Sequence, residues 1–577
     1  VMKIYKKLGP GAIDLIKMNP YILCDNNFSI NFKTCDEIAL DMDFEGDEKF
    51  RVMAAIKYVL SHNILNGHTF VPKNKLFVIV KDMLEIDEIL FEDAFDKLIK
   101  DYEIYCTFTK YSDESVYIAK VFYTESYIAK KLIEMKSSNY GIIDEIDELI
   151  YDIEKEDNIS YSESQKTAIK NAYINKAFVL TGGPGTGKTT VLNGIISLYK
   201  KLDMKILLAA PTGRAAKRMT EITGEDSKTV HKLLEMDYNE DENLTSFARN
   251  EQNPLDCDVL IVDEFSMMDI YLFEALLKAL PQRARLFMVG DSNQLPSVGA
   301  GNVFRDIVES GVIETVVLDK IYRQSEESKI VLNAHRILKG EYPDLKDKKS
   351  DFFFMKCLDD ERLCQIVASL CSERLTKTYN YNKFDDIQVI CPSKKSLTGT
   401  YNLNRVLQNV LNPKNQDKKE KEFRDIIFRE GDKVMQIKNN YDIIWKKDTG
   451  EDGKGIYNGD IGIILEINFN ARQFSVRYDD KTAFYEFESF EEIEHAYAIT
   501  VHKSQGSEFP CVVIPILRGP SILFYRNLLY TAITRAKENV IIIGNEQLVK
   551  NMVDNNKNIK RYTGLESFLE TLSFENV

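Results

Sequence analysis

The alternation of apolar and polar positions divides the 577-residue chain into three regimes. Residues 1 to about 150 carry helical patterning in KIYKKLGPGAIDLIKMNPYIL, NFSINFKTCDEIAL and RVMAAIKYVLSHNILNGHTFVP. Beyond them, short apolar runs alternate with amphipathic stretches. The run at 177–180 (AFVL) reads as a buried strand and the following TVLNGIISLYKKL as a helix; KILLAA, 259–262 (VLIV) and 286–289 (LFMV) read as further strands. This alternation predicts an α/β chain. A third regime, from FREGDKVMQIKNN to FSVRYDDKTAFYEF, has short alternating strands cut by Gly, Asn and Asp turns, which predicts a small β-barrel.

The sharpest local chemistry lies between the first strand and its helix. LTGGPGTGKTT fits G-x-x-x-x-G-K-[ST] from Gly182 through Gly187 to Lys188 and Thr189. The backbone of Gly183-Pro184-Gly185-Thr186-Gly187 can wrap phosphates at a helix N-terminus, with Thr190 just behind. Lys188 reaches the β and γ phosphates, and Thr189 takes a Mg²⁺. The strand at 259–262 ends in Asp263-Glu264: an acid to share the Mg²⁺, then one to orient and deprotonate a water. Together these predict nucleotide hydrolysis, not binding alone. Gln294, a few residues after the strand at 286–289, is placed to sense the γ-phosphate.

Composition bounds the picture without changing it. A chain this long holds about three to five domains. Hydrophobic residues make up 44% and charged residues 29%, ordinary for a globular protein, and no apolar run approaches the roughly 20 residues that span a bilayer. A cytoplasmic protein with no membrane partner is expected. Nine cysteines without a C-x-x-C pair predict reduced thiols and no structural metal. The net charge of −15 argues against a broadly basic nucleic-acid surface, but not against a cleft lined by a few cations and N–H groups.

One run resists a bland reading. AITVHKSQGSEFP, at 498–510, crowds Thr500, His502, Lys503, Gln505 and Glu508 where a strand is predicted to give way to a helix. Set in order with SESQKTAI, LTGGPGTGKTT, APTGRAAKRM, KTVHKLL, LIVDEFSMMD, VGDSNQLPSVGAGNVF, IYRQ and LYTAITRAKENV, it resembles the motif set of superfamily 1 DNA helicases, in their RecD-like branch and most closely the RecD2 type. The resemblance covers about residues 160 to 577. It implies two RecA-like P-loop domains with ATP and Mg²⁺ between them, a small SH3-like β-barrel inserted in the second, and a mainly helical accessory region in front.

In these terms 1–50 is helix-hairpin-helix-like and 51–150 winged-helix-like. The first motor domain is 151–320 with an insertion at about 233–254, the second is 321–424 and 494–577, and the SH3-like unit is 425–493. Gln165 matches an adenine-reading glutamine, Glu508 a ribose contact, Gly506 a further nucleotide-side position, and Arg323 and Arg535 two arginines, each near or within a predicted helix, that approach the γ-phosphate on closure. Thr212, Gly213 and Arg214 lie at one strand-to-helix turn and Thr229 and His231 at another; with Thr500 and His502 they are the expected DNA contacts. The run at 498–510 is expected at the domain interface, facing DNA at one end and ATP at the other.

The resemblance implies 5′-to-3′ movement on single-stranded DNA and unwinding at duplex junctions, in repair or recombination, by a monomer. Two other readings use the same residues: an RNA or RNA–DNA helicase, and an ATP-switched clamp that does not unwind. The insertion EMDYNEDENLTSFARNEQN reads either as a duplex-splitting hairpin, with Phe247 its one bulky apolar residue, or as a solvated loop. Trp445 and Tyr441, near Lys438, Lys446 and Lys447, read either as barrel core or as a DNA-stacking pair. The chain departs from the family at Ser29-Ile30-Asn31-Phe32, where Gly-Ile-Gly-Phe is usual. Asn31 tolerates a left-handed backbone better than Ser29 does, so phosphate binding by that hairpin is expected to be impaired. The chain is expected to lack the front domain of longer relatives, as a fragment or an alternative start at Val1 would leave it.

Overall fold

The apolar runs become the strands of two parallel sheets. In a computed structural model, which describes residues 4–5, 8–24, 28, 30–42, 44, 47–138, 145–239, 244–321, 327–347, 350–556 and 561–575, the first sheet has six strands. Their order is Thr315–Leu318, Ala177–Gly182, Arg285–Gly290, Val259–Val262, Ile206–Ala210, Ser227–Thr229, all parallel. Successive side chains leave a strand on opposite faces. Phe178 and Leu180 accordingly join one core with Val191 and Ile195, while Ala177 and Val179 join another with Phe273 and Leu276. Burial on both faces explains why these strands read as unbroken apolar runs.

The second sheet, also parallel, has the order Phe352–Lys356, Ala536–Gly544, Phe509–Ile516, Ile387–Cys391, Ala498–Thr500. Between its strands Ile387–Cys391 and Ala498–Thr500 the chain detours through helix Thr400–Leu411, a two-stranded ribbon, and a seven-stranded antiparallel sheet from Lys433–Gln436 to Ile493–His495. Asp432 pins this detour at its base. Its fully buried carboxylate accepts from Gln408 Nε2 and Asn412 Nδ2 (both 2.7 Å), the Arg429 N–H (2.7 Å), His495 Nε2 (3.0 Å) and the Tyr497 hydroxyl (3.0 Å). Burial alone raises its pKa; His495 and the other donors reverse that and hold it below the usual carboxylate value.

In the accessory region, Asn31 does not take a left-handed backbone. It is extended (φ −75°) and caps helix Phe32–Asp41, its Oδ1 accepting the Thr34 N–H at 2.9 Å, because a short amide side chain satisfies the free N–H groups of a helix start. Ser29 lies outside the described residues. Further on, helices Glu48–Leu65, Lys73–Leu84 and Glu88–Lys100 surround one core with a three-stranded sheet.

The end of the chain returns to this region. Arg561 donates to the carbonyls of Ser297 (2.7 Å), Gly299 (3.0 Å) and Gly301 (2.7 Å), and the Thr69 N–H donates to the Tyr562 carbonyl (2.7 Å). Helix Leu565–Glu575 then packs with helices Ala119–Lys136 and Val303–Ser310 in the first-sheet core. Residues 561–575 thus strap the accessory region onto the first sheet.

Under the strap, Glu125 is fully buried and accepts the Gly564 N–H at 3.1 Å; burial pushes its pKa up to about 8. The folded protein therefore keeps a proton on Glu125 that the unfolded chain releases near 4.5, and this group's contribution to stability falls as pH rises from about 4.5 to about 8. Glu125→Gln, which keeps the shape and removes the charge, is expected to melt higher than the unsubstituted protein at pH 8, by on the order of 2 kcal/mol, and to lose that advantage at pH 5. Thermal melts at the two pH values check this; equal melting at pH 8 would contradict it.

Candidate active site

The two sheets face each other across a cavity of about 660 Å³. From the first sheet come Gln165, Gly183, Pro184, Gly185, Thr186, Gly187, Lys188, Thr189, Thr190, Asp263, Glu264 and Gln294; from the second come Glu508 and Arg535. Two expected members are not among these. Arg323 lies outside the described residues. Gly506 is not in the lining: at φ +69° it sits where a Cβ would come within 2.6 Å of Thr212 Oγ1, so its lack of a side chain serves domain contact.

Strand Ala177–Gly182 delivers the phosphate loop, and Gly187 begins helix Lys188–Lys201 from a left-handed backbone (φ +82°) that glycine adopts without penalty. Lys188 Nζ donates to the carbonyls of Gly182 (2.5 Å) and Gly183 (2.9 Å). Gln165 lies in the first turn of helix Glu163–Ile174, its Oε1 accepting the Ser162 N–H at 2.9 Å in a reciprocal cap. Its position in the lining is fixed by that cap.

Asp263 leaves the end of Val259–Val262, its N–H donating to the Ala209 carbonyl (3.0 Å) and its Oδ1 accepting the Glu264 N–H (2.8 Å). Glu264 is held left-handed at φ +50°, a strained conformation for a side-chain-bearing residue. Burial first, and the Glu264 charge second, push Asp263 up to about 6. Two adjacent acids with little exposure repel, and a divalent cation would relieve that repulsion. Asp263 with the Thr189 hydroxyl is an all-oxygen donor set suited to Mg²⁺.

Across the cavity, Arg535 is not in a helix body. It follows Thr534, the C-cap of helix Arg526–Ile533, and precedes strand Ala536–Gly544. It is 2% exposed, donating through Nε to the Thr531 carbonyl (3.2 Å) and through Nη1 to the Ser507 carbonyl (3.3 Å). The same helix clamps the Gln294 loop: the Tyr530 hydroxyl donates to Asp291 Oδ2 (2.5 Å), Asn527 Nδ2 to the Asn293 carbonyl (2.7 Å), and Thr531 Oγ1 accepts the Leu295 N–H (3.1 Å). Gln505 Nε2 donates to the Leu295 carbonyl at 2.7 Å. His335 Nε2 donates to the Pro184 carbonyl at 3.2 Å.

The run at 498–510 contains no α-helix. Strand Ala498–Thr500 ends in a single 3₁₀ turn, His502–Ser504, and the chain re-enters the sheet as Phe509–Ile516, because only a few residues separate the two strands. Thr212 and Thr229 cap helices with their hydroxyls, accepting from the Ala215 N–H (3.3 Å) and the Lys232 N–H (3.2 Å). Gly213 starts helix Gly213–Thr223, where Arg214 lies over the Phe509 ring at 5.5 Å. Thr500 opens into a groove beside the detour, His502 into one beside Arg561, and His231 into one beside Phe247. Burial lowers the pKa of both histidines, so they are neutral at pH 7 and offer hydrogen bonds, not charge. Thr500, His502 and His231 thus line three separate grooves and not one pocket.

The insertion at 233–254 contains an antiparallel hairpin, Met236–Asn239 with Leu244–Phe247. Phe247 pairs with Met236 at its base and packs on the first core, so it is not a wedge at the tip. Tyr441 donates to Met236 Sδ (3.2 Å), joining the detour to the hairpin; Trp445 packs at the barrel core with Lys481 Nζ 4.5 Å from its ring centre. Missed in the sequence was Arg218, which lines the cavity and pairs with Glu508 at 2.6 Å. Its spacing of four from Arg214 was the available signal.

Four stretches of the chain match known protein families. Residues 1–70 match the ATP-dependent RecD2 DNA helicase HHH domain, 165–300 an AAA domain, 403–478 the ATP-dependent RecD-like DNA helicase SH3 domain, and 495–543 the UvrD-like helicase C-terminal domain. The ATP-dependent RecD2 DNA helicase of Deinococcus radiodurans is 28% identical over 551 residues, covering 93% of this chain and 72% of the relative. The RecBCD enzyme subunit RecD of Buchnera aphidicola from Acyrthosiphon pisum is 26% identical, covering 77% and 82%. Among solved structures, Bacteroides Pif1 bound to single-stranded DNA aligns over 68% of this chain and 94% of its own, at 20% identity and a TM-score of 0.38. The four matched domains, in this order along one chain, make this protein a superfamily 1 DNA helicase of the RecD-like branch, with the domain set of the RecD2 type.

Proposed function

We propose that this chain is a Mg²⁺-dependent ATPase that moves 5′ to 3′ along single-stranded DNA and opens duplex ahead of it, in repair or recombination. The observation that carries the reading is the division of one hydrolytic set between two bodies: Lys188, Asp263 and Glu264 on one wall of the cavity, Arg535 on the other. A set divided in this way is complete only when the walls approach, so turnover reports closure.

In this reading ATP lies with its phosphates along Gly183–Thr190 and its base toward Gln165. Glu264 accepts the proton of the attacking water; Lys188 and Arg535 neutralise charge that grows on the γ-phosphate oxygens. Thr189 and Asp263 would hold Mg²⁺, which screens the phosphates electrostatically when bound. Gln294 sits on the loop clamped by Tyr530, Asn527 and Thr531, so a change at the γ-phosphate is felt by the second sheet.

DNA would run past Thr212-Gly213-Arg214, Thr229 and His231 on the first body and Thr500 and His502 on the second. Contacts of this kind grip the backbone without reading bases. Alternating grip as the cavity closes and opens would move the strand, and the paired strands Met236–Asn239 and Leu244–Phe247, braced by Tyr441, would part the duplex. Polarity follows the family resemblance.

Lys188→Ala is expected to reduce ATP turnover to background while single-stranded DNA binding persists. Arg535→Ala is expected to lower the DNA-stimulated kcat on the order of 10³-fold with a much smaller change in ATP KM, since its charge acts on the transition state. Steady-state kinetics check both, and retained turnover in either variant overturns that residue's role. On partial duplexes, strand separation is expected with a 5′ single-stranded tail and not with a 3′ tail. The reverse preference overturns the polarity, and DNA-stimulated hydrolysis without separation favours the switched clamp.

A further inference from the structure

Helix Gly213–Thr223 meets the second body at its N-terminal turn and again at Arg218. At its first turn, Gly506 lies against Thr212, where a Cβ would also meet Ala215 Cβ at 3.7 Å. One residue into the helix, the Arg214 guanidinium covers the Phe509 ring. One turn later, on the same side of the helix, Arg218 Nη1 lies 2.6 Å from Glu508 Oε1. Continuing down that face, Met219 and Ile222 line the nucleotide cavity. Residues 506–509 are therefore laid along this helix from its DNA-facing end to its nucleotide-facing side.

The same Arg218 Nη1 is 4.0 Å from Glu264 Oε1. Among the described residues it is the cation within ion-pair distance of the Glu264 carboxylate, and it is shared with an acid of the other body. A guanidinium suits this position: its planar fork of five N–H donors can serve two carboxylates at once, which the point charge of a lysine does less well. Arg218 remains 35% exposed, against 19% for Glu508 and 12% for Glu264, so water can replace the pairing when the bodies part.

We propose that Arg218 is a positioning residue that sets Glu264 to take the proton of the water attacking the γ-phosphate only while Glu508 is seated beside it. It makes segment 506–509 of the second body a condition for chemistry on the first. This rests on Glu264 being the base. In this role Arg218 acts through Glu264, and its partner Glu508 reports whether the seam along helix Gly213–Thr223 is closed. DNA held at Thr212-Gly213-Arg214 and the second body then promote hydrolysis by seating one short segment.

The test uses the full chain with R218Q, R218K, E508Q and the R218Q/E508Q double variant, in steady-state ATP hydrolysis with and without single-stranded DNA. R218Q is expected to lower the DNA-stimulated kcat roughly 10- to 100-fold while ATP KM stays within about threefold. R218K is expected to restore part of the loss. E508Q is expected to fall less far than R218Q, and the double variant to be no worse than R218Q, the non-additivity of two groups acting through one contact. Unchanged kcat in R218Q, a defect confined to KM, or an additive double variant each overturns the proposal. Should R218Q not fold, R218K and E508Q decide it: full activity in both overturns it, and a kcat loss in both supports it. Absence of DNA-stimulated turnover in the unsubstituted protein would instead sink the motor reading on which the proposal rests.

Discussion

The structure depends on what happens at the carboxyl end of a parallel strand. A strand buried on both faces must release its chain at that edge, where backbone N–H groups and short polar side chains are free to meet a ligand. Strands Ala177–Gly182 and Val259–Val262 end side by side with only Arg285–Gly290 between them, so the phosphate loop and the Asp263–Glu264 pair share one edge. The second sheet contributes Arg535 and the Gln505 region from its own loops. Neither body alone presents all of the proposed hydrolytic groups to one cavity.

That constraint explains which features were legible in the sequence. The phosphate loop and the acid pair could be read because each is a contiguous motif at the end of an apolar run, and such runs signal buried strands whatever the tertiary arrangement. The run at 498–510 was recognised as chemical but misread as ending in a helix: with so little chain between Thr500 and Phe509, the path returns to the sheet. Gly506 was assigned to the nucleotide because it stands inside a motif, whereas its role comes from Thr212, almost three hundred residues earlier. Arg218 and His335 were not seen because their partners, Glu508 and Pro184, are set by how two bodies meet, which no local pattern encodes.

The acidic overall charge is consistent with a nucleic-acid partner once the groups are placed. His231 and His502 are neutral by burial, Thr212 and Thr229 spend their hydroxyls on helix caps, and Arg214 is engaged with Phe509. A surface of this kind would hold a strand by geometry and N–H groups more than by bulk charge. The buried acids serve other ends: Asp432 anchors the detour to the second sheet, and Glu125 holds the strap that binds the accessory region to the first.

The central claim is that closure on nucleic acid completes the hydrolytic set. The most direct measurement is steady-state ATP hydrolysis by the full chain with no nucleic acid, with single-stranded DNA, and with single-stranded RNA of the same sequence. Strong stimulation by DNA, with RNA well below it, is the result this account requires. Hydrolysis at the same rate in all three would contradict it, because the two walls of the cavity would then be closing without reference to the strand they hold.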